Sequence, residues 1–485
     1  MKLIQPLVFL CATLLLPAMS LAASEAMTVS IDPQKPEGAI SPETLGLSYE
    51  TSRLLPDEKG VHYFRPDNQP LLEMFKTLGI KNLRIGGNSV DDPKIPIPTE
   101  SDVSSLFDFA KAAGVKVIYS VRFQNGDPKS AARFARQIRD QYSDILDCFA
   151  IGNEPDYYKD YTVLESKWKT IQTAMLKEYP DARFCGLDQN PNPNLIKNAV
   201  RDFTPTGHFT MVTQHSYPFG CSYKNPHEGR LDVTKFIPYE SLASCERMLS
   251  PDAYAIYAKI QKGMVDAVAG TPLSFRLTET NSYWFSGLKG ASDRYAAAIW
   301  GLDYLHWWAT HGAKGLNFHT GDQTGGKVAL SCRYAVFVSS SKGYEAKPLA
   351  YGMKLFDLGG HGSQIPVTIK STTENNIVAY AYLTDHKIIS VTLINKTYNV
   401  GAKEMQITLK LASPTKISNA QAIYLRSTQA DPTAESGITI GGEPIQQNGS
   451  WKGQWTPVEL SSNTTSDLSV TLPPLSATVI EVHLQ

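Results

Sequence analysis

Two short segments of the sequence each end an apolar run with a glutamate. In "AIGNEPDYY" (150–158), a glycine and a proline interrupt the run and leave Asn153 and Glu154 at its tip. Proline cannot donate to a sheet ladder and glycine weakens a strand, so a strand must stop here. The segment "FRLTETNSYW" (275–284) has a similar form and carries Glu279. Taken alone, each glutamate is either a reactive carboxylate or a solvated loop residue.

Two carboxylates that face each other across a cavity are the groups that glycoside hydrolysis requires. A pair about 5–5.5 Å apart supports a retaining double displacement, and a wider pair leaves room for an inverting water. One carboxyl must be protonated at working pH, which requires a pKa raised by burial or by its neighbour. Asn153, beside Glu154, is placed to donate a hydrogen bond to a sugar hydroxyl next to the reacting carbon.

The elements around these glutamates predict a (β/α)8 barrel over residues 41–340. Strand-like and helix-like runs alternate between residues 43 and 320, and eight such strands indicate the barrel class. Catalytic groups of such barrels lie at the carboxyl ends of the strands. The other predicted strand ends carry further polar residues, each of which is also an ordinary loop residue: Glu50, Asn88, Arg122, Asp188, His215, Tyr217 and His319.

The remainder of the chain predicts an antiparallel β-sandwich. β-Branched and alternating runs separated by turn residues fill 341–485, as in sandwich domains. The segment 23–40 contains another strand-like run, which we expect to join this sandwich. The longest interruption of the barrel pattern, 218–250, is predicted to be a loop over the barrel mouth, with the aromatic residues of 217–223 forming a wall for the leaving group.

Composition and processing signals narrow the class of protein. The 485 residues carry a formal net charge of −1, which favours neither nucleic acid nor an anionic membrane surface. Residues 1–22 have the pattern of a secretory signal peptide cleaved after Ala22. We therefore expect a secreted or periplasmic protein with no membrane attachment after cleavage. Cys221 and Cys245 are the predicted disulfide, and no zinc-binding spacing occurs.

Several motifs together resemble glycoside hydrolase family 79, which contains β-glucuronidases and heparanase. The Asn-Glu-Pro element with a later glutamate is typical of the wider clan of retaining (β/α)8 glycosidases, and the remaining motifs narrow the resemblance to the family. It covers nearly the whole mature chain and rests on these segments: "LRIGGNSVDD" (83–92), "IGNEPDYY" (151–158), "QHSYPFG" (214–220), "LTETNSYW" (277–284) and "GLNFHTG" (315–321).

The resemblance implies a role for each matching residue near the reacting carbon. Glu154 matches the general acid/base and Glu279 the nucleophile. Asn153 matches the residue that contacts the sugar beside the anomeric carbon. Tyr217 matches a tyrosine that bonds the nucleophile and holds it ionised. Glu50 matches an acidic residue that binds sugar hydroxyls.

The resemblance also implies a site for the carboxylate of a uronic acid. Asn88 lies in the loop that lines the sugar subsite. A tyrosine hydroxyl after the eighth strand would bind the carboxylate; Tyr334 is the first candidate and Tyr351 the alternative. Backbone N–H groups near Ser286 and Gly287 would complete this site. No metal or cofactor is implied.

The sequence therefore predicts a retaining exo-β-glycosidase, specifically a β-glucuronidase that releases terminal glucuronic acid from glycosides or uronic-acid-containing oligosaccharides. Two alternatives remain open. One is another retaining glycosidase of the same clan, such as a β-xylosidase, β-glucosidase or arabinofuranosidase. The other is a non-catalytic carbohydrate-binding protein on a degenerate barrel.

Overall fold

A computed structural model describes most of the chain: residues 26–220, 241–324, 330–371, 375–385, 387–399, 401–412, 415–460 and 466–485. The predicted signal peptide, 1–22, lies outside the described residues. Among those that are described, no helix combines the length and the apolar character needed to cross a membrane. Strand β1 (Ala26–Ile31) comes first and belongs to the second of two structural units.

The first unit is a closed barrel of eight parallel strands, which confirms the predicted fold class. The last barrel strand pairs with the first, so the sheet has no free edge. The barrel strands are β2 (Leu45–Glu50), β3 (Asn82–Gly86), β4 (Lys116–Val121), β5 (Leu146–Ile151), β6 (Phe184–Gln189), β7 (Phe209–Ser216), β8 (Ser274–Thr280) and β9 (Leu316–His319).

Helices between these strands form the outer ring of the barrel. Local sequence sets their ends: Thr99 and Asp102 form a capping box at the start of the second helix, and Gly114 ends it in the left-handed conformation. The helices are α1 (Gln69–Thr77), α2 (Glu100–Ala113), α3 (Pro128–Tyr142), α4 (Tyr161–Glu178), α5 (Pro193–Phe203), α6 (Ser241–Leu249), α7 (Ala253–Val268) and α8 (Tyr295–Thr310).

The interruption 218–250 is not a loop throughout, contrary to the prediction. Its last part forms α6, which buries Ser244, Cys245, Met248 and Leu249. Cys245 is a free thiol, and its sulfur lies 3.5 Å from the carbonyl oxygen of Gly290. Cys221, its predicted disulfide partner, lies outside the described residues.

Two hairpins and a helix connect the units. They are β10 (Gln323–Thr324) with β11 (Leu330–Ser331), β12 (Phe337–Ser340) with β13 (Gly343–Ala346), and α9 (Pro348–Gly359). Although α9 lies beyond the predicted boundary at residue 340, it packs against α8 and also against the sandwich. This helix therefore joins the two units.

The second unit is a sandwich of two sheets. One has the order β15-β1-β18-β22 and the other the order β14-β16-β17-β23-β19-β20, with β21 pairing to β19. The strands are β14 (Ser363–Ile365), β15 (Val367–Ser371), β16 (Ile377–Asp385), β17 (Ile388–Asn395), β18 (Met405–Leu411), β19 (Ile417–Ser427), β20 (Ile438–Ile440), β21 (Thr456–Pro457), β22 (Asp467–Leu472) and β23 (Ser476–Leu484).

The N-terminal strand is an integral part of this sandwich, as the sequence predicts. Strand β1 pairs antiparallel with β15 and parallel with β18. Its side chains Met27, Val29 and Ile31 are buried in the core between the two sheets. The pairing with β18 is a parallel exception to the predicted antiparallel pattern.

Candidate active site

Both glutamates lie at the carboxyl-end rim of the barrel. Glu279 is the second-last residue of β8, and Glu154 follows β5 directly before a short 3-10 turn, Pro155–Tyr157. Glu154 adopts φ 46° and ψ 62°, a left-handed backbone that costs a non-glycine residue about 1–3 kcal/mol. The tip of the segment therefore holds Glu154 in a strained conformation at the mouth of the barrel.

The two carboxylates face each other at short range. Oxygen atoms of Glu154 and Glu279, together with a ring nitrogen of His215, all lie within 4.8 Å of one another. A nearest-oxygen distance this short fits the carboxyl separation of about 5–5.5 Å in retaining glycosidases. The side chain of Glu279 is only 8% exposed, whereas that of Glu154 is 28% exposed.

Arg84, on β3, connects the residues beneath the cavity. Its guanidinium is fully buried and donates to Glu279 Oε2 at 2.7 Å, Asn153 Oδ1 at 2.7 Å and Asp188 Oδ2 at 2.8 Å. Asp188 is itself bonded by the hydroxyls of Thr213 and Thr278. Because one rigid cation binds three acceptors from three strands, it fixes the position of Glu279 relative to Asn153.

Glu279 is held as a carboxylate. The Tyr217 hydroxyl donates a hydrogen bond to Oε1 at 2.7 Å, and the Arg84 guanidinium donates one to Oε2. Burial alone would raise the pKa of Glu279, but the positive potential of His319, His215 and Arg84, with the Tyr217 hydrogen bond, outweighs it. The pKa of Glu279 therefore lies well below its ordinary value, as an attacking carboxylate requires.

Glu154 has a different environment. His215 is fully buried, and its Nδ1 lies 2.9 Å from Glu154 Oε1 while its Nε2 faces Arg84 Nη2 at 3.5 Å. Nδ1 of His215 donates to Glu154, and although burial favours the neutral ring, the charge of Glu279 and the hydrogen bond to Glu154 raise the pKa of His215. Among the described residues, Oε2 of Glu154 has no hydrogen-bond partner, so it is available to an oxygen of a ligand.

Glu50 forms a second acidic position on the rim. It is 4% exposed, accepts the backbone N–H of Ser89 at 2.8 Å, and lies 3.6 Å from Nε2 of His319. Gly87 makes this contact possible: it has φ 69°, and a Cβ there would lie 2.4 Å from Glu50 Oε2. His319 also lies 3.8 Å from Glu279, so it connects the two acidic positions.

Two asparagines continue this rim. Asn153 is buried and donates from Nδ2 to Oδ1 of Asn88 at 3.3 Å, and Asn88 is exposed. The structure therefore joins the predicted sugar-contact residues Asn88 and Asn153, and it places Glu50 beside Ser89, the neighbour of Asn88.

The predicted carboxylate site lies beside Tyr217. The Tyr334 ring stacks on that of Tyr217, with centroids 5.9 Å apart. Ser286 is buried, and within the described residues its backbone N–H has no acceptor. The N–H of Gly287 instead donates to the Trp284 carbonyl oxygen at 3.2 Å, which leaves Ser286 as the free amide of the predicted pair.

Tyr351, the alternative to Tyr334, is engaged elsewhere. It lies on α9, and its hydroxyl accepts the backbone N–H of Ile445 at 3.3 Å. Tyr334 is therefore the tyrosine that the structure brings to the cavity.

Sequence reasoning gave no specific role to His215 and His319, which it placed among the polar residues at strand ends, and it did not assign Arg84 to the site. Arg84, His215 and His319 each interrupt or end an apolar strand with a polar side chain, and this pattern was the sequence feature that could have indicated a site residue. The identity of their partners depends on closure of the barrel, since Arg84 and Glu279 are 195 positions apart.

Glu154, His215 and Glu279 also form the one cluster in the described residues whose donor atoms are close enough to bind a metal ion. The cluster already contains a cation, because Arg84 lies 2.7 Å from Glu279. A divalent ion at this position would be repelled by the guanidinium. The donor set therefore fits acid/base and nucleophilic chemistry better than metal binding.

Comparison with known proteins shows the fold. No family profile and no curated protein sequence matches this chain. A solved 4-O-α-L-rhamnosyl-β-D-glucuronidase from Fusarium oxysporum 12S is similar over 94% of this chain and 99% of its own, with a TM-score of 0.67 and 19% identity.

Two arabinofuranosidases show the same architecture. The GH51 enzyme from Xanthomonas axonopodis pv. citri has a TM-score of 0.65 and 12% identity over 95% of this chain and 100% of its own. The α-L-arabinofuranosidase from Thermotoga maritima has a TM-score of 0.64 and 15% identity over 94% and 100%. At these identities the likeness establishes the barrel-and-sandwich fold, and function must be argued from the site.

Proposed function

We propose that this protein is a retaining β-glycosidase, and specifically a β-glucuronidase that acts on terminal glucuronic acid. The observation that carries the proposal is the pair of carboxylates within 4.8 Å of each other in opposite environments. Glu279 is buried and held ionised, whereas Glu154 is partly exposed with one oxygen available. A double displacement needs such a pair: an ionised nucleophile and an accessible carboxyl group that can reach the leaving oxygen.

The reaction then takes two steps. Glu154 protonates the glycosidic oxygen while Glu279 attacks the anomeric carbon, so the leaving group departs as an alcohol and a glycosyl-enzyme ester forms. Glu154, now ionised, removes a proton from water, which attacks the same carbon and restores Glu279. Two inversions leave the configuration of the sugar unchanged. His215, through its hydrogen bond to Oε1, orients Glu154 in both steps.

Three observations support a uronic acid as the sugar. The Tyr334 hydroxyl and the free N–H of Ser286 are donors of the kind that bind a carboxylate. Both belong to segments that meet at the cavity, since Ser286 O accepts the backbone N–H of Arg333 at 2.6 Å. One structural neighbour is a β-D-glucuronidase by name.

An arabinofuranosidase is the second candidate, because two structural neighbours carry that name. A panel of 4-nitrophenyl glycosides separates the candidates: β-D-glucuronide, β-D-xyloside, β-D-glucoside and α-L-arabinofuranoside. We expect the highest kcat/KM for the glucuronide. A preference for a neutral sugar would reject the uronate assignment but keep the glycosidase, and sugar binding without hydrolysis would favour the non-catalytic alternative.

We also propose that the protein is exported after removal of residues 1–22. The support is the N-terminal sequence pattern. N-terminal sequencing of the mature protein from its host should begin at Ala23; an intact Met1 on an internal protein would contradict it.

A further inference from the structure

An exposed aromatic residue lies directly beyond the proposed acid/base. Tyr157 is 41% exposed and ends the 3-10 turn, Pro155–Tyr157, that begins immediately after Glu154. A single exposed tyrosine is ordinary on a protein surface. This one differs because several contacts fix its position relative to Glu154.

The hydroxyl end of Tyr157 is tied to the base of the acid/base segment. It lies 3.5 Å from Oδ2 of Asp91, the same oxygen that accepts the backbone N–H of Asn153 at 3.1 Å. The other oxygen of Asp91 accepts two further N–H groups, from Phe123 and Gln124. Because Asn153 and Tyr157 share one acceptor, the ring folds back alongside the segment that carries Glu154.

A second ring supports the first. The Tyr157 and Tyr158 centroids are 4.7 Å apart, and Tyr158 packs in turn on Phe123 at 5.1 Å. Pro155 fixes the backbone, and its carbonyl oxygen accepts the N–H of Tyr158 at 2.9 Å. The exposed ring is therefore held by its hydroxyl, by its neighbour and by the turn, so little entropy is lost when a ligand contacts it.

We propose that Tyr157 is the platform on which the leaving group of the substrate stacks. The inference rests on the proposed glycosidase function: because Glu154 protonates the bridging oxygen, the leaving group must lie on the Glu154 side of the cavity. The leaving group would present an apolar ring face to Tyr157. This face could belong to an aromatic alcohol or to the C–H side of a second sugar.

The predicted leaving-group wall, 217–223, does not compete for this role in its described part. The hydroxyl of Tyr217 is committed to Glu279, and Phe219 is 1% exposed and packs on Tyr283 and Trp300. Residues 221–223 lie outside the described part of the chain.

The test compares two substrates that share the sugar and differ in the leaving group. β-D-Glucuronyl fluoride releases a single ion that cannot stack, and 4-nitrophenyl β-D-glucuronide releases an aromatic alcohol. Tyr157→Ala should lower the ratio of kcat/KM for the aryl glycoside to that for the fluoride by about 3- to 10-fold. Tyr157→Phe keeps the ring and should restore most of the ratio.

A third substrate, a glucuronyl disaccharide, separates the two sources of the ring. A loss confined to the aryl glycoside indicates an aromatic leaving group, and an equal loss with the disaccharide indicates a sugar platform. An unchanged ratio in Tyr157→Ala overturns this inference while leaving the glycosidase intact. Wild-type protein that is folded and hydrolyses neither the fluoride nor the aryl glycoside overturns the proposed function itself.

Discussion

At the scale of single residues, the site separates two chemically identical side chains by their surroundings. Glu279 is buried yet ionised, because a guanidinium and a phenol each bond one of its oxygens. Within the described part of the chain, the Glu154 carboxylate receives one hydrogen bond, from His215, and it keeps access to solvent. In the proposed mechanism, the difference in hydrogen bonding, rather than in burial alone, suits one carboxyl to attack and the other to proton transfer.

Tyr217→Phe tests how Glu279 is kept ionised. Removing the hydroxyl removes a donor to the charged form, so the pKa of Glu279 should rise. Since the attacking carboxylate must be ionised, the acidic limb of the kcat/KM profile should move to higher pH. The measurement is kcat/KM for the aryl glucuronide from pH 8 down to the lowest pH at which both proteins stay folded.

Tyr295→Phe is the matched control, because it removes another buried tyrosine hydroxyl, one that donates to the Leu425 carbonyl oxygen in a different part of the molecule. Its acidic limb should coincide with that of the wild type. A Tyr217→Phe profile that also coincides would show that the phenol does not stabilise the carboxylate.

The sequence located Glu154 and Glu279 because each follows an apolar run at a strand end, and position at the rim of a barrel is a property of the strand itself. It did not assign Arg84 its three partners, since these lie on strands that meet only after the barrel closes. The resemblance indicated backbone amides near Ser286 and Gly287, but which of the two is free was beyond sequence reasoning. It depends on a left-handed backbone at φ 64° that residue type alone does not predict.

At the scale of elements, the turn after β3 places Glu50. Gly87 and Gly114 share φ 69°, but a Cβ at Gly87 would meet Glu50 whereas a Cβ at Gly114 meets nothing within 4 Å. Alanine at either position should cost about 1 kcal/mol or more in unfolding free energy from backbone strain. Gly87→Ala should in addition displace Glu50 and raise KM several-fold.

The pair of glycine variants separates strain from contact. Stability is measured by urea unfolding and KM with the aryl glucuronide. If Gly114→Ala and Gly87→Ala change KM equally, the contact between Gly87 and Glu50 does not determine substrate binding.

Helix α8 carries a buried histidine that should make stability depend on pH. His306 is fully buried, its Nδ1 lies 2.7 Å from the Tyr382 hydroxyl, and burial lowers its pKa to about 3. In the unfolded chain the pKa of His306 is near its ordinary value of 6.5. Between pH 3 and pH 6.5 the unfolded chain therefore binds a proton at His306 and the folded chain does not. Folding free energy is therefore lost as pH falls from about 6.5 towards 3, by about 1.4 kcal/mol per unit.

His306→Asn removes this titration and should flatten the slope in that window, as measured by urea unfolding at half-unit pH steps. Above pH 7 the histidine is neutral in both states, so any difference between the proteins should there be constant. A slope equal to that of the wild type would show that His306 is not the titrating group.

Most barrel elements could be predicted because their strands are continuous apolar runs and their helices have a 3.6-residue period. Helix α6 could not be predicted in the same way. It lies in a stretch rich in serine, proline and cysteine, and its buried face is built partly from Ser244 and Cys245. Burial against the Gly290 segment, rather than local propensity, stabilises it.

At the scale of the whole molecule, a buried charge cluster joins the barrel to the sandwich. Lys396, after β17, is 2% exposed and lies 3.0 Å from Oδ2 of Asp303 on α8. The hydroxyls of Tyr254 and Tyr380 also donate to Asp303, at 2.7 Å each. The two units should therefore unfold together rather than separately.

Lys396→Met leaves Asp303 buried without its cation and should destabilise the protein by about 3–5 kcal/mol. The double variant Asp303→Asn with Lys396→Met removes both charges and should recover part of this loss. Denaturant unfolding followed by tryptophan fluorescence and by activity tests the coupling. Two separate transitions in the wild type would contradict it.

The sequence predicted a β-sandwich, but it did not predict which strands pair with each other. Alternation in 341–485 indicates strands with one buried face, and the same alternation in β1 indicates that it needs a partner sheet. Strand β1 pairs with β15 and β18, which both follow the barrel in the chain, so its place in the sheet is fixed only when the two ends of the chain meet. This is a property of the assembled molecule and cannot be deduced from either segment.

Covalent trapping tests most directly whether the two carboxylates act on one sugar carbon. A glucuronic-acid-configured cyclophellitol is opened by an attacking carboxylate and forms a stable ester. After digestion, mass spectrometry should find one equivalent of the adduct on Glu279. Glu279→Gln should show no adduct and a loss of turnover on the order of 10³-fold or more, while the surface variant Glu345→Gln should behave as wild type. Labelling of wild-type protein at another residue, or active protein with no adduct at Glu279, would contradict the assignment.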